Sequence, residues 1–450
     1  LIIWLTLLTL AQINIESMTE QPTPFNAVIV DGGRIPFLKS GSDYNDLLSY
    51  DLGRMAIQGL LARNNLDPAT IDRVIMGTVI QEVKTSNVAR ESALGAGIPN
   101  TVPAFTTTMA CISSNQAITS GLDLIRSGQA KIILAGGTET MSDIPVRFKK
   151  KFRQKVLAAR KYKSPLDFLG FLKGLRPKDL LPELPAIAEF STGETMGQSA
   201  DRMAARFGVS RADQDEYAMR SHHLAAKATN EGLLNEELFA AKVPPKFDLV
   251  EHDNGFREDT SMEKLSKLRP AFIKPHGTVT AGNSSFLTDG ASASLIMEEQ
   301  TALALGLKPK AYLRAYNFVS QDPGDELLLG PAYATPKVLD AMRLTLNDID
   351  VFELHEAFAG QVLSVLNALD SESFAKNSLS RDSKVGRIPM DKLNTLGGSL
   401  SLGHPFGATG VRLVTTAANR LIREDGKYAL VTACAAGGQG HAMILEKYHD

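Results

Sequence analysis

The sequence predicts an α/β protein of two similar halves, each a mostly parallel sheet set between helices, and three observations carry that prediction. Apolar runs ending in small residues, such as Lys131-Ile-Ile-Leu-Ala-Gly-Gly-Thr-Glu139 and Leu430-Val-Thr-Ala-Cys434-Ala-Ala-Gly-Gly-Gln-Gly-His441, read as buried strands. Segments with apolar residues at helical spacing alternate with them, as at 51–62 and 117–125. The plan also recurs: Leu344-Thr-Leu-Asn-Asp-Ile-Asp-Val-Phe-Glu-Leu354 echoes Leu66-Asp-Pro-Ala-Thr-Ile-Asp-Arg-Val-Ile-Met76, each a turn, then Ile-Asp, then a strand. Likewise Leu421-Ile-Arg423 leads into the strand before Cys434 much as Leu124-Ile-Arg126 leads into the strand after Cys111.

Composition bounds the function. A chain of 450 residues with 44% hydrophobic content can bury large cores in two or three domains. A formal net charge of −2 gives no global basic field, so no nucleic-acid partner is expected. Two cysteines exclude a disulfide framework and suit a reducing compartment, from which a cytoplasmic location is expected. No Cys-x-x-Cys or His-Glu-x-x-His spacing occurs among eight histidines, so no metal site is expected.

In chain order, residues 1–24 read as an N-terminal tail. Its opening apolar run, 1–11, is about half the roughly 20 residues a spanning helix needs, and it has neither the basic start of a signal peptide nor the arginines of a mitochondrial presequence. Residues 1–17 are read either as sequence upstream of the native protein or as a short hydrophobic anchor. A strand at 28–30, a helix over 51–62, a turn at 65–72, a strand over 73–80 and a helix near 87–96 follow. Between about 145 and 264 the pattern changes to an insertion. It opens with the basic run Arg147-Phe-Lys-Lys-Lys-Phe-Arg-Gln-Lys155 and Arg160-Lys-Tyr-Lys163. Later, Ser210 with Asp213 three residues on caps an amphipathic helix, with His222 and His223 on its face rather than in chemistry.

Three turns rich in small residues carry the candidate chemistry. In Thr107-Thr-Met-Ala-Cys111-Ile-Ser-Ser-Asn-Gln-Ala117 the cysteine falls in the first turn of a helix, where unpaired N–H groups and the helix dipole favour a thiolate. The alternative is a small buried hydrophobe. Gly397-Gly-Ser-Leu-Ser-Leu-Gly-His404-Pro-Phe-Gly-Ala-Thr-Gly410 sets a histidine before another helix, and Cys434 closes a strand.

These three stretches resemble the thiolases: their nucleophilic cysteine, their Gly-His-Pro histidine and their C-terminal glycine-flanked cysteine. The resemblance runs from about Ala27 onward and includes Val28-Ile-Val30, Arg34-Ile-Pro-Phe37, Thr278-Val-Thr-Ala-Gly-Asn-Ser-Ser285, Asp289-Gly-Ala291 and His355-Glu-Ala-Phe358. It implies a five-layered α-β-α-β-α core of duplicated α/β halves, with an N-terminal half at 25–300 that includes an inserted loop domain at about 145–264, and a C-terminal half at 303–448. The implied reaction is cleavage of a 3-ketoacyl-CoA by coenzyme A, which is a substrate; no cofactor is expected. Cys111 would attack the ketone, His404 would take its proton, and Cys434 would protonate the departing acetyl-CoA enolate and later deprotonate coenzyme A.

His355 stands where many thiolases have asparagine. His-Glu-Ala-Phe resembles the thiolase subunits of fatty-acid oxidation multienzyme complexes, and His355 is an expected oxyanion-hole donor, directly or through water. Ala436 replaces a common glycine, which is tolerable at negative φ since only its N–H is needed, with that of Cys111, for the other oxyanion hole. By motif, Ala281, Gly282 and Ser285 match the segment lining the pantetheine channel, and Met196 and Phe358 match residues beside the thioester. For Met196 alone, core packing is the competing reading.

The same branch implies a homodimer core carrying hydratase/dehydrogenase subunits in a heterotetramer. The basic run 147–163 reads as a solvated face, a site for coenzyme A phosphates, an acidic-partner site or a peripheral contact with an anionic membrane. Competing functions are a biosynthetic acetoacetyl-CoA thiolase, which runs the same chemistry backwards, and a non-catalytic acyl-CoA or lipid carrier, which is expected to lose a catalytic residue.

Overall fold

Strand alternation sorts the core into layers. Ala27, Ile29, Ile133 and Ala135 enter one apolar cluster, while their neighbours Val28, Val30, Ile132 and Leu134 enter another on the opposite sheet face. The computed structural model describes residues 26–449 apart from 172, 186 and 187, so the tail expected at 1–24 lies outside the described residues.

The main elements of the first half are β1 (Ala27–Arg34), α1 (Ser49–Arg63), β2 (Arg73–Gly77), α2 (Val88–Gly95), β3 (Ala104–Thr107), α3 (Ser113–Arg126) and β4 (Ile132–Glu139). After an excursion containing α4 (Lys150–Ala159), α5 (Met196–Arg206) and α6 (Arg211–Asn230), β5 (Thr288–Glu298) closes that half. The second half runs β6 (Ala311–Ser320), α7 (Gly330–Met342), β7 (Val351–Leu354), α8 (Ala359–Leu369), α9 (Thr409–Arg423), β8 (Tyr428–Ala435) and β9 (Gln439–Lys447).

The strand order is β7-β8-β9-β6-β1-β5-β4-β2-β3, with a short strand at Leu38–Lys39 beside β5. The halves meet at β1 and β6 through two residue pairs, Val28 with Tyr312 and Ile29 with Ala311. On either side of that seam the order mirrors itself, which is the duplication expected from the repeats. Helices α3 and α9 pack against each other and against strands of the sheet, α9 reaching strands of both halves. Helices α1 and α2 cover the outer face of the first half, and α7 with α8 covers that of the second. The result is five layers with α3 and α9 in the middle.

Two expectations are corrected. The halves are mixed rather than mostly parallel: β2 runs parallel to β3 and β4, and β7 to β8, but β5 and β9 pair antiparallel. The reason for β9 is its three-residue connection, with Gly437 and Gly438 at φ +83 and +68, which is too short for a parallel crossover. The strand expected over 73–80 stops at Gly77, because Val79 and Ile80 donate their N–H groups to the Glu139 carboxylate instead of to a ladder.

Within the insertion, α6 starts as expected, with Ser210 and Asp213 forming the capping box. His222 Nδ1 accepts the Arg257 N–H at 3.2 Å and a ring nitrogen of His223 lies 2.8 Å from Thr260 O, so both histidines fasten the helix to a neighbouring loop. Ala200, Met203, Tyr217 and Ala218 join the core cluster of the second half, so α5 and α6 are part of its packing. By contrast α4 buries none of its residues. No helix among the described residues is long and apolar enough to cross a membrane.

Candidate active site

Three turns and a strand end converge on one point. After β3 the chain bends through Ala110 at φ +46, a left-handed conformation that costs a non-glycine residue about 1–2 kcal/mol. Ser113 holds the bend: its Oγ accepts the Met109 N–H at 2.8 Å and donates to Ala110 O at 2.7 Å, while Thr107 Oγ1 donates to Ser113 O at 3.0 Å. A Cβ on Gly77 would lie 2.6 Å from Ser113 C, so the bend packs directly on the end of β2. Because these bonds close the turn before the helix begins, Cys111 precedes the N-cap Ile112 and is not inside the first helical turn as expected.

The second turn carries His404. Its N–H donates to Thr288 Oγ1 at 3.0 Å, and Gly407 N–H donates to Glu139 Oε2 at 3.0 Å. Glu139 also accepts from Thr78, Val79 and Ile80, so one buried carboxylate ties two loop segments to the end of β4; burial pushes it up to about 7 against those donors. His404 Nδ1 lies 2.7 Å from Thr409 Oγ1, and the Thr409 hydroxyl donates to Pro405 O at 3.0 Å. Thr409 therefore accepts from Nδ1–H, and Nε2, which has no hydrogen-bond partner, keeps its lone pair.

His355 follows β7, with its N–H donating to Thr432 O at 2.9 Å and its Nδ1 2.9 Å from Ser399 Oγ. The rings of His355 and His404 lie in contact, 4.1 Å between centroids and tilted by 44°. One ring nitrogen of each lies within 4.8 Å of the other and of Cys111 Sγ. Both Nδ1 atoms are engaged elsewhere, so the two Nε2 atoms are the ones available to that space. In the third turn, after β8, the Ala436 N–H and the N–H of Cys111 itself both act on the Cys111 sulfur. Ala436 is not among the residues with positive φ, as its N–H role requires. Cys434 is fully buried on the outer sheet face, close enough for charge on Cys111 to act on it.

Electrostatics make this a resting thiol with neutral imidazoles. Burial pushes Cys111 up to about 11, opposed by the two N–H groups, with Glu139 and Glu189 raising it further. His404 Nε2 faces the sulfur as the base expected to take its proton. Burial pulls His404 down to about 3, helped by the Arg412 charge, and holds His355 well below the usual histidine range. Burial likewise lifts Cys434 well above an ordinary thiol.

A pH dependence of stability follows. His404 and His441, both held at about 3, take up a proton near 6.5 once unfolded, so the unfolded chain binds more protons and stability is lost as pH falls from 6.5 toward 3. Glu139 and Glu353, both raised to about 7, act in the opposite sense between 4.5 and 7, so the loss is steepest below 4.5. Urea midpoints measured across this range should show that profile; a flat midpoint would mean that the imidazoles are charged in the fold.

The remaining expected positions fall on one core cluster and on one loop pairing. Cys434, Phe358 and the part-buried Met196 belong to one apolar cluster. The 281–285 segment is zipped to the end of His355-Glu-Ala-Phe358: Ser285 N–H donates to Ala357 O and Ala359 N–H to Asn283 O, each at 3.0 Å. Ala281 is exposed, Ser285 is half-buried, and a Cβ on Gly282 would lie 2.5 Å from Leu268 Cδ1. Sequence reasoning missed Thr409, Thr288, Ser399 and Glu139, which hold the histidines; only Thr409, one helical turn beyond His404, carried a spacing that could have pointed to it. Cys111, His355 and His404 are also the one group among the described residues with ligand atoms close enough for a metal ion.

Comparison with known proteins adds family and fold matches. Residues 27–300 match the family described as "Thiolase, N-terminal domain" and residues 307–447 match "Thiolase, C-terminal domain". The human protein named "Trifunctional enzyme subunit beta, mitochondrial" is 61% identical over 428 residues, 95% of this chain and 90% of that one. A "Probable 3-ketoacyl-CoA thiolase" of Caenorhabditis elegans is 55% identical over 94% of each chain. The crystal structure of human mitochondrial 3-ketoacyl-CoA thiolase superposes with a TM-score of 0.81 at 31% identity, covering 94% of this chain and 99% of that one. The expected cytoplasmic location is corrected here: the trifunctional enzyme subunits that are 60–61% identical are mitochondrial, and they point to that compartment.

Proposed function

This chain belongs to the thiolase family, and on that premise we infer how its site works. It is a degradative 3-ketoacyl-CoA thiolase, an acyltransferase that cleaves 3-ketoacyl-CoA with coenzyme A in fatty-acid oxidation. The observation that carries the mechanism is the cluster of Cys111 Sγ with one nitrogen each of His355 and His404 within 4.8 Å.

His404 Nε2 takes the Cys111 proton as the sulfur attacks the C3 ketone, whose oxyanion meets the N–H groups of Cys111 and Ala436, while His355, directly or through a water, stabilises the enolate oxygen that develops on the departing acetyl-CoA. The C2–C3 bond breaks; the electron pair goes to C2, where Cys434 supplies a proton and acetyl-CoA leaves. Cys434, now a thiolate, removes the proton of incoming coenzyme A, whose sulfur attacks the acyl-Cys111 carbonyl. The N–H groups of Cys111 and Ala436 hold that second oxyanion, and the shortened acyl-CoA departs as Cys111 regains its proton. Coenzyme A enters as a substrate, and every step of this reading is assigned to a residue of the chain or to coenzyme A itself. Ala281, Gly282 and Ser285 line the pantetheine channel, with Met196 and Phe358 beside the thioester. Thiolysis by the purified protein over short, medium and long 3-ketoacyl chains tests this; absence of coenzyme A-dependent cleavage at every length contradicts it.

The chain works within a multienzyme complex with other subunits. The finer arrangement is a homodimer core carrying hydratase/dehydrogenase subunits in a heterotetramer, and a peripheral membrane contact through 147–163. Support for the membrane contact is local: α4 buries no residue, exposed Val156 and Leu157 stand among its cations, and exposed Phe148 and Leu166 flank it. Cations beside apolar side chains suit an anionic lipid surface better than a phosphate ligand. Charge reversal at Lys149 and Lys150 should weaken binding to anionic vesicles by roughly 1 kcal/mol per charge while the KM for coenzyme A holds. A raised KM with unchanged vesicle binding would instead place this run on the coenzyme.

A further inference from the structure

A buried relay stands behind His355. Glu353 and His355 lie two residues apart at the end of β7, and so share a sheet face, looking toward α9. Arg412 on α9, with no exposed side-chain surface, reaches Glu353 Oε2 at 3.3 Å with one amino nitrogen and donates to Ser399 Oγ at 3.2 Å with the other. Arg420 holds the second Glu353 oxygen at 2.9 Å. Ser399 Oγ in turn lies 2.9 Å from His355 Nδ1, and among the described residues Arg412 and His355 are its hydrogen-bond partners.

The proton positions follow from counting donors. Arginine can only donate, so one Ser399 lone pair is occupied by Arg412. The hydroxyl proton then has a single acceptor in reach, which is His355 Nδ1. A neutral imidazole that accepts at Nδ1 carries its proton at Nε2. His355 Nε2, fully buried and without a partner, therefore presents an N–H, whereas His404 Nε2 presents a lone pair. Two histidines in contact are thus set in opposite tautomers by two different hydroxyls: Thr409 accepts from one, Ser399 donates to the other.

We propose that Ser399, oriented by Arg412, is a positioning residue that fixes His355 as the Nε2–H tautomer and so makes it the oxyanion donor opposite the base His404. This rests on the role given to His355 above. Without the Ser399 hydroxyl, Nδ1 is free to carry the proton, and His355 Nε2 would face the reaction as an acceptor, repelling the charge it should stabilise. The nucleophile is untouched, because His404 and Thr409 do not depend on Ser399.

The test uses the full chain in its native complex. Ser399→Ala should lower kcat for thiolysis about 10–100-fold with little change in KM, the scale of losing an orienting hydrogen bond. Alkylation of Cys111 should keep its wild-type rate. Ser399→Thr, which keeps the hydroxyl, should recover most of the turnover. NMR of isotope-labelled histidine should show His355 shifting away from the Nε2–H form in the alanine variant. In a His355→Ala background, Ser399→Ala should cost nothing further. Wild-type turnover in Ser399→Ala, or a loss that multiplies with that of His355→Ala, would overturn the proposal. Full turnover in His355→Ala alone would overturn the reading of His355 itself, and that outcome is distinct.

Discussion

Cys111→Ala should abolish thiolysis, with kcat falling by about 10⁴–10⁶-fold, the range seen when a covalent nucleophile is removed. The size of the effect follows from the lack of a substitute. Cys434 is the only other cysteine, and it is fully buried on the outer face of the sheet. Among the described residues, Cys111 is the cysteine whose sulfur lies with a nitrogen of His404 and meets the Ala436 N–H. The alanine variant should fold normally, since the elbow is held by Ser113 and Thr107 rather than by the thiol. Its far-ultraviolet spectrum and its denaturation midpoint should therefore match the wild type while turnover vanishes. A residual acyl adduct in this variant would place the nucleophile elsewhere.

Cys434→Ser should lower kcat by about 10²–10⁴-fold, the usual worth of a positioned acid and base, and should slow both half-reactions. Burial holds the Cys434 thiol in its protonated form, and negative charge on Cys111 would raise it further. It therefore keeps its proton until the Cys111 sulfur is bonded to substrate and the enolate develops beside it; as a thiolate it then accepts a proton from coenzyme A. A serine hydroxyl cannot follow this cycle, because its affinity for the proton far exceeds that of a thiol with a reference pKa of about 8.5. Cys111 in the variant should still be acylated by a reactive ester. Rapid-quench kinetics separate the two steps, and a defect in only one of them would remove Cys434 from the other.

The elements that position these groups were legible where periodicity and small-residue punctuation agree. Strand β4 was expected from 131 to 139 and runs Ile132–Glu139, and the Ser210 cap of α6 fell where its capping pattern put it. Repeats announced the duplication, because α3 and α9 end in the same Leu-Ile-Arg before equivalent strands. What escaped were contacts between segments far apart in the chain. The end of β2 is set by Glu139, about sixty residues on, and no local pattern reports that. The surroundings of Cys111 escaped for the same reason: its helix address is visible in the sequence, whereas the end of β2 packed on its turn, the Glu139 carboxylate and the Ala436 N–H come from distant segments. The tautomers of His355 and His404 depend on Ser399 and Thr409, whose roles appear only once hydrogen bonds fix which oxygen donates.

The most direct test of the central claim is to incubate the protein with a 3-ketoacyl-CoA in the absence of coenzyme A and to weigh the peptide that carries Cys111. The mechanism predicts an acyl group shortened by one acetyl unit on Cys111, with one acetyl-CoA released for each adduct and full recovery of free Cys111 on adding coenzyme A. An adduct on Cys434, an adduct carrying the uncleaved ketoacyl chain, or acetyl-CoA release without any adduct would contradict it.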